Sequence, residues 1–164
     1  MVTVAANEVQ PDLVTTLAPV LDATDPSDHP LLIAMLERWA AERYREWADA
    51  VGDIAEVTQL LACAEREEEI ASRVEALYRD SEQVQAALAA ANPLLKGALA
   101  GGFTWRPLDE QFAVQAAAER LGAATWRSFA RRATADDDAD AAAVFEGCAL
   151  LEEASAAVLE QLLA

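Results

Sequence analysis

The chain has 164 residues and a formal net charge of −17. That length suits one domain with a substantial core, and that charge argues against nucleic acid and against anionic membrane surfaces as partners. Hydrophobic residues reach 54% while aromatics are only 6%, and a chain so rich in Ala, Leu, Glu and Arg and so poor in Gly reads as all-α.

Two cysteines are too few for a disulfide framework. Cys63 and Cys148 both fall inside helical pattern and are expected as small buried side chains. Residues 1–10 lack the basic and apolar blocks of a secretory signal. No uninterrupted apolar run approaches the roughly 20 residues that span a bilayer. The expectation is a cytoplasmic protein.

Residues 1–29 carry Pro11, Pro19 and Pro26 and read as an N-terminal arm, with room for a short helix over 11–21. Pro30 then opens a first long helix over 30–51, with Ile33, Leu36, Ala40, Tyr44, Trp47, Ala48 and Val51 as its apolar stripe. Gly52-Asp53 ends it, and Asp53 can cap a second long helix over 54–79. That helix carries Val57, Leu60, Leu61, Ala64, Ala71, Val74, Leu77 and Tyr78 at helical spacing. Residues 80–108 form a crossover: Asp80 or Ser81 caps a short helix over 82–91, and Asn92-Pro93 interrupts it. Leu88, Leu94, Leu95, Leu99, Phe103 and Trp105 predict that the crossover packs on the domain. A third long helix covers 108–133 and a fourth 138–163. Between them Asp136, Asp137, Asp138 and Asp140 read as capping and dipole residues, because the glycine and distal glutamate of a calcium loop are missing.

The chain repeats itself. Glu37-Arg38-x-Ala40-Ala41-x-x-Tyr44-x-x-Trp47-Ala48 matches Glu119-Arg120-x-Gly122-Ala123-x-x-Trp126-x-x-Phe129-Ala130. Cys63-Ala64-x-x-Glu67-Glu68-x-x-Ala71 matches Cys148-Ala149-x-x-Glu152-Glu153-x-x-Ala156. Each half is therefore a helix pair with a glutamate on both helices. Glu37, Glu67, Glu119 and Glu152 fall on or beside the core-facing stripes, where a lone carboxylate is costly. Similar chain lengths separate the two glutamates of each half, so each pair lies at a similar height in a helical hairpin. A shifted frame would instead turn Glu68 and Glu153, or Glu65 and Glu69, inward. Four converging carboxylates bind cations, share protons or pair with bases.

On these motifs, residues 30–163 resemble the ferritin-like superfamily, in particular its rubrerythrin and bacterioferritin side. The resemblance implies a ferritin-like antiparallel four-helix bundle over 30–164, with a long connection between helices 2 and 3. It implies that Glu37, Glu67, Glu119 and Glu152 are the carboxylate ligands of a two-metal site, with iron or manganese as cofactor, and it suggests a homodimer. In that family a histidine three residues after the second glutamate of each half completes the site. Here those positions are Ile70 and Ser155, and the one histidine, His29, precedes the first helix.

Besides a small-molecule pocket at the bundle core made by losing the histidines, two functional readings follow. One is a ferritin-like protein with a degenerate carboxylate site that binds metal or retains some metal-dependent oxidation. The other is a non-enzymatic helical scaffold, without a metal, acting through self-association or partner binding. Whether the chain is an enzyme is open at this point. Trp47 and Trp126 read as core or interface aromatics, and Arg38 and Arg120 as bundle-surface residues, with neutralisation of the glutamates in the absence of metal as the alternative. No phosphate loop, paired-cysteine zinc pattern or Ser-His-acid set occurs.

Overall fold

The computed structural model describes the backbone from residue 6 to 164 and the side chains from residue 13 onward. Among the described residues the protein is all-helical. Four long helices carry the core: α2 (His29–Ala50), α3 (Ile54–Glu75), α6 (Leu108–Ala135) and α7 (Ala139–Leu162). The others are α1 (Ala6–Ala23) before them, and α4 (Ser81–Ala91) and α5 (Leu95–Gly101) in the crossover. No helix among the described residues is long and apolar enough to cross a membrane.

Local chemistry accounts for the boundaries. Pro30 stands in the first turn of α2. Asp53 accepts hydrogen bonds from the Ala55 and Glu56 N–H groups and starts α3. Asp138 accepts from the Ala141 N–H and starts α7, after Asp137 turns the chain at a φ of 59°. Asp80 precedes α4 without such a bond. His29 places Nε2 3.0 Å from the Leu21 carbonyl and 3.2 Å from the Thr24 carbonyl, tying the end of α1 to the start of α2.

α2 packs chiefly on α3, α6 on α7, and α3 on α7. Two apolar clusters fill the interior. The first holds Tyr44, Trp47, Leu60, Ala64, Phe112 and Leu159 among others, and so takes the C-terminal parts of α2 and α7 and the N-terminal parts of α3 and α6. The second holds Ile33, Ile70, Val74, Ala123, Trp126 and Phe145 among others, and takes the opposite ends of the same helices. Trp47 anchors the first, edge-on to Tyr44 and Phe112 with centroids 5.4 and 5.2 Å away. Trp126 anchors the second, stacked on Phe145 at 5.8 Å.

The N-terminal arm is mostly one helix, longer than the sequence predicts. Pro11 and Pro19 lie inside it, but Leu13, Leu17, Val20 and Leu21 recur at helical spacing and pack with Leu32, Met35 and Leu95. Burial of that stripe outweighs the hydrogen bonds the prolines remove. Residues 1–5 of the arm lie outside the described residues. The crossover holds two helices instead of one. Leu95 and Phe103 are buried, but Leu94 is 82% and Trp105 69% exposed, so these two do not pack down as expected. Leu61 and Leu77 of the predicted α3 stripe are also exposed, and α3 ends before Leu77, which leaves the helical face.

Candidate metal centre

The four glutamates sit in the seam between the two apolar clusters. On α2 the second cluster's share ends at Leu36 and the first begins at Ala41, with Glu37 between them. Glu67 falls between Ala64 and Ile70, Glu119 between Ala117 and Ala123, and Glu152 between Leu151 and Val158. All four are buried; Glu67 is fully so and Glu37, the least, is 8% exposed. The alternative frame is excluded: Glu68 pairs with Arg38 and Arg45, Glu69 with Arg73 and Glu153 with Arg127, all on the outside.

Glu37, Glu67 and Glu152 each place one carboxylate oxygen within 4.8 Å of those of the other two. Glu119 is buried beside them but is held differently. Its Oε1 accepts from the Tyr44 hydroxyl at 2.7 Å and from the Gln115 side-chain amide at 2.7 Å. The Trp126 indole N–H donates to Glu152 Oε1 at 2.9 Å, and the Ser155 hydroxyl donates to Glu67 Oε1 at 2.9 Å. Arg66 Nε donates in turn to the Ser155 oxygen at 3.1 Å. Glu67 Oε2 and Glu119 Oε2 are buried with no hydrogen-bond partner among the described residues.

Gly122 supports the cluster from below. A methyl group there would run into the Glu152 carboxylate, meeting Oε1, Cδ at 2.7 Å and Oε2 at 2.9 Å. The matching position in the first half is Ala40. A glycine inside a helix costs about 1 kcal/mol relative to alanine, and at this position it provides the space in which Glu152 lies.

Burial sets the proton affinities. It pushes the Glu37 carboxyl up to about 8, with the Glu119 carboxylate adding to the shift and hydrogen bonds from its neighbours opposing it. Burial likewise holds Glu67 well above the ordinary carboxylate range, followed by repulsion from Glu119 and Glu37. Glu152 is raised for the same reasons, burial first and then Glu37 and Glu119. Burial and Glu119 also raise the Tyr44 phenol, which stays a hydrogen-bond donor. Cys63 and Cys148 are buried and free, and burial raises both thiols, Cys148 to about 12. They act as core side chains.

The donor set fits one kind of cation and not another. Two unpartnered buried oxygens and three converging carboxylates suit a hard divalent ion bound through oxygen. A histidine-completed two-iron site does not fit. Ile70 is packed in the second apolar cluster, the Ser155 hydroxyl is engaged between Glu67 and Arg66, and His29 is bonded at the α1–α2 turn. Arg38 and Arg120 stay outside, paired with Glu68 and Glu75 and with Glu160.

A cavity of about 460 Å³, walled by α1, α2, α5 and α6, reaches Glu37, Glu119, Gly122 and Glu152. Tyr44, Gln115, Trp126, Ser155 and Gly122 complete the surroundings of the glutamates. Of these, sequence inspection could have marked Tyr44 and Trp126, which occupy matching repeat positions two turns along the same helical face from Glu37 and Glu119. The glycine that replaces alanine at Gly122 was a second signal. The chain matches no protein-family model, no curated protein and no solved structure.

Proposed function

We propose that this protein is a divalent-cation protein of ferritin-like four-helix type, with Glu37, Glu67 and Glu152 as ligands and Glu119 as a fourth carboxylate. The observation that carries this reading is the convergence of three buried carboxylates within 4.8 Å, with no base among them. The fold reading draws on the order of the two clusters along the helices, which fits α2 and α7 running one way and α3 and α6 the other, joined by a long crossover. An all-oxygen shell favours Mn²⁺ or Mg²⁺, or weakly held Fe²⁺. A bound manganese or iron supplies a positive centre capable of one-electron chemistry. The chain's own part is to hold three carboxylates in place. Trp126 orients Glu152, Ser155 orients Glu67, and Tyr44 with Gln115 fix Glu119.

The raised proton affinities favour a second reading. Protons on Glu37, Glu67 and Glu152 neutralise the cluster without a cation, and the chain is then a scaffold that kept the site's shape. Metal content decides between the two. It is measured by plasma mass spectrometry on protein purified without chelator or immobilised metal, and again after equilibration with Mn²⁺ and removal of excess. Near-stoichiometric metal, lost in Glu67→Ala/Glu152→Ala, is the expected result. No retained metal in the folded wild type, before and after loading, would overturn the cation reading in favour of the scaffold.

A further inference from the structure

The cavity beside the carboxylates has a chemical character that a cation does not explain. Its volume of about 460 Å³ lies in the range of small-ligand sites, roughly 300–1,000 Å³. An ion alone needs far less. Leu17, Ile33, Leu36, Trp39 and Leu121 contribute apolar wall. Toward one end stands Arg43, half-buried and without an ion pair among the described residues. It spends one N–H on Gln115 Oε1 at 2.8 Å and lays its guanidinium on the Phe103 ring, 3.8 Å from the centroid. The chain has 29 acidic residues against 12 lysines and arginines. Glu119, Glu46 and Glu42 act on this guanidinium only from a distance, and a half-buried guanidinium with no ion pair among the described residues, in such an excess of acids, points to an acid supplied from outside.

The shape narrows the class. Arg43 and Ile33 both line the cavity, and their ten-residue separation along α2 spans about 15 Å. Glu37 lies between the two, as do Glu119 and Gly122 on the facing α6 between Gln115 and Thr125. The space is therefore long, cationic near one end and apolar toward the other, and it passes the carboxylate cluster midway. A single planar guanidinium suits a carboxylate held by two N–H groups. A phosphate dianion would call for further cations. Arg106, the other arginine on the wall, is already engaged with Glu110 and the Gly102 carbonyl.

We propose that this cavity binds an extended apolar monocarboxylic acid, with its carboxylate on Arg43 and its hydrocarbon body running past Glu37 and Gly122 toward Ile33 and Leu36. The assignment stands on the cavity and on Arg43, and does not require the cation reading to hold.

The test is calorimetric titration of the full chain at about pH 7.5 with decanoate, decan-1-ol and decylammonium, in chelator-treated and Mn²⁺-loaded protein. Saturable one-to-one binding of decanoate is expected, with the alcohol and the ammonium about tenfold or more weaker. Arg43→Gln should weaken decanoate about tenfold or more, and Leu36→Trp should weaken it by filling the wall with Arg43 intact; circular dichroism checks that both variants fold. The proposal is overturned if wild-type protein shows no saturable decanoate binding, if decanol binds as tightly, or if either folded variant keeps wild-type affinity. Decanoate binding by wild-type protein that retains no metal even after Mn²⁺ loading would remove the cation reading and leave this one standing.

Discussion

Gly122 and Glu152 are a matched pair: the residue without a side chain makes room for the buried carboxyl group. Replacing Gly122 by alanine improves helix propensity by about 1 kcal/mol and at the same time drives the Glu152 carboxylate off its seat. Gly122→Ala is therefore expected to leave the melting temperature close to wild type while Mn²⁺ binding falls. A melting curve and a Mn²⁺ titration on the same sample check both halves, and unchanged Mn²⁺ affinity would remove Gly122 from the site. Protonation gives a second residue-scale prediction. The unfolded chain ionises Glu37 near the ordinary value of 4.5, whereas the folded chain keeps its proton until about 8. Between those values the folded state holds more protons, so the associated stability is complete below about 4.5 and is lost as pH rises through about 8. Metal-free protein should accordingly melt at lower temperatures as pH climbs from about 5 to about 9, and Glu37→Gln should flatten that slope. An identical slope in the variant would show that Glu37 ionises normally in the fold.

At the scale of elements, α1 ties the N-terminal residues to the cavity wall. Leu17 is its buried anchor, packed with Leu32, Met35 and Leu95, and it also lines the cavity. Leu17→Ala is expected to cost about 2 kcal/mol, the lower end for a core leucine, because the cluster lies at the edge of the domain. Urea denaturation reads this directly, and an unshifted midpoint would mean that α1 docks without it. The long helices were legible because caps and stripes agreed: Pro30, Asp53 and Asp138 start them where the apolar periodicity begins. α1 was less legible because Pro11 and Pro19 read as breaks while the stripe that overrides them finds its partners on α2 and α5, far along the chain. Leu94 and Trp105 show the converse error. Hydrophobic character alone cannot say which apolar residues of a crossover find a surface to cover.

At the scale of the molecule, a charge of −17 makes compaction work against self-repulsion. Raising NaCl from about 10 to about 200 mM should raise the melting temperature of metal-free protein modestly. MnCl₂ at matched ionic strength should raise it further, by an amount corresponding to about 2.7 kcal/mol at a hundred times the dissociation constant. In Glu67→Ala/Glu152→Ala only the salt component should remain. Equal responses of wild type and double variant would assign the whole effect to screening.

The sequence by itself determined the helical class and the four long helices, because helix periodicity and capping are local, and the internal repeat favoured Glu37, Glu67, Glu119 and Glu152 as the inward residues while leaving a shifted frame open. Only the tertiary structure decided that the four glutamates share one seam between two apolar clusters, that Glu119 is bonded by Tyr44 and Gln115 while the other three converge, and that Arg43, without an ion pair among the described residues, lines a cavity beside them. Those facts depend on side chains from different helices meeting. Periodicity assigns a residue to a face of its own helix, whereas burial, hydrogen bonding and empty space are properties of what the facing helices bring to it.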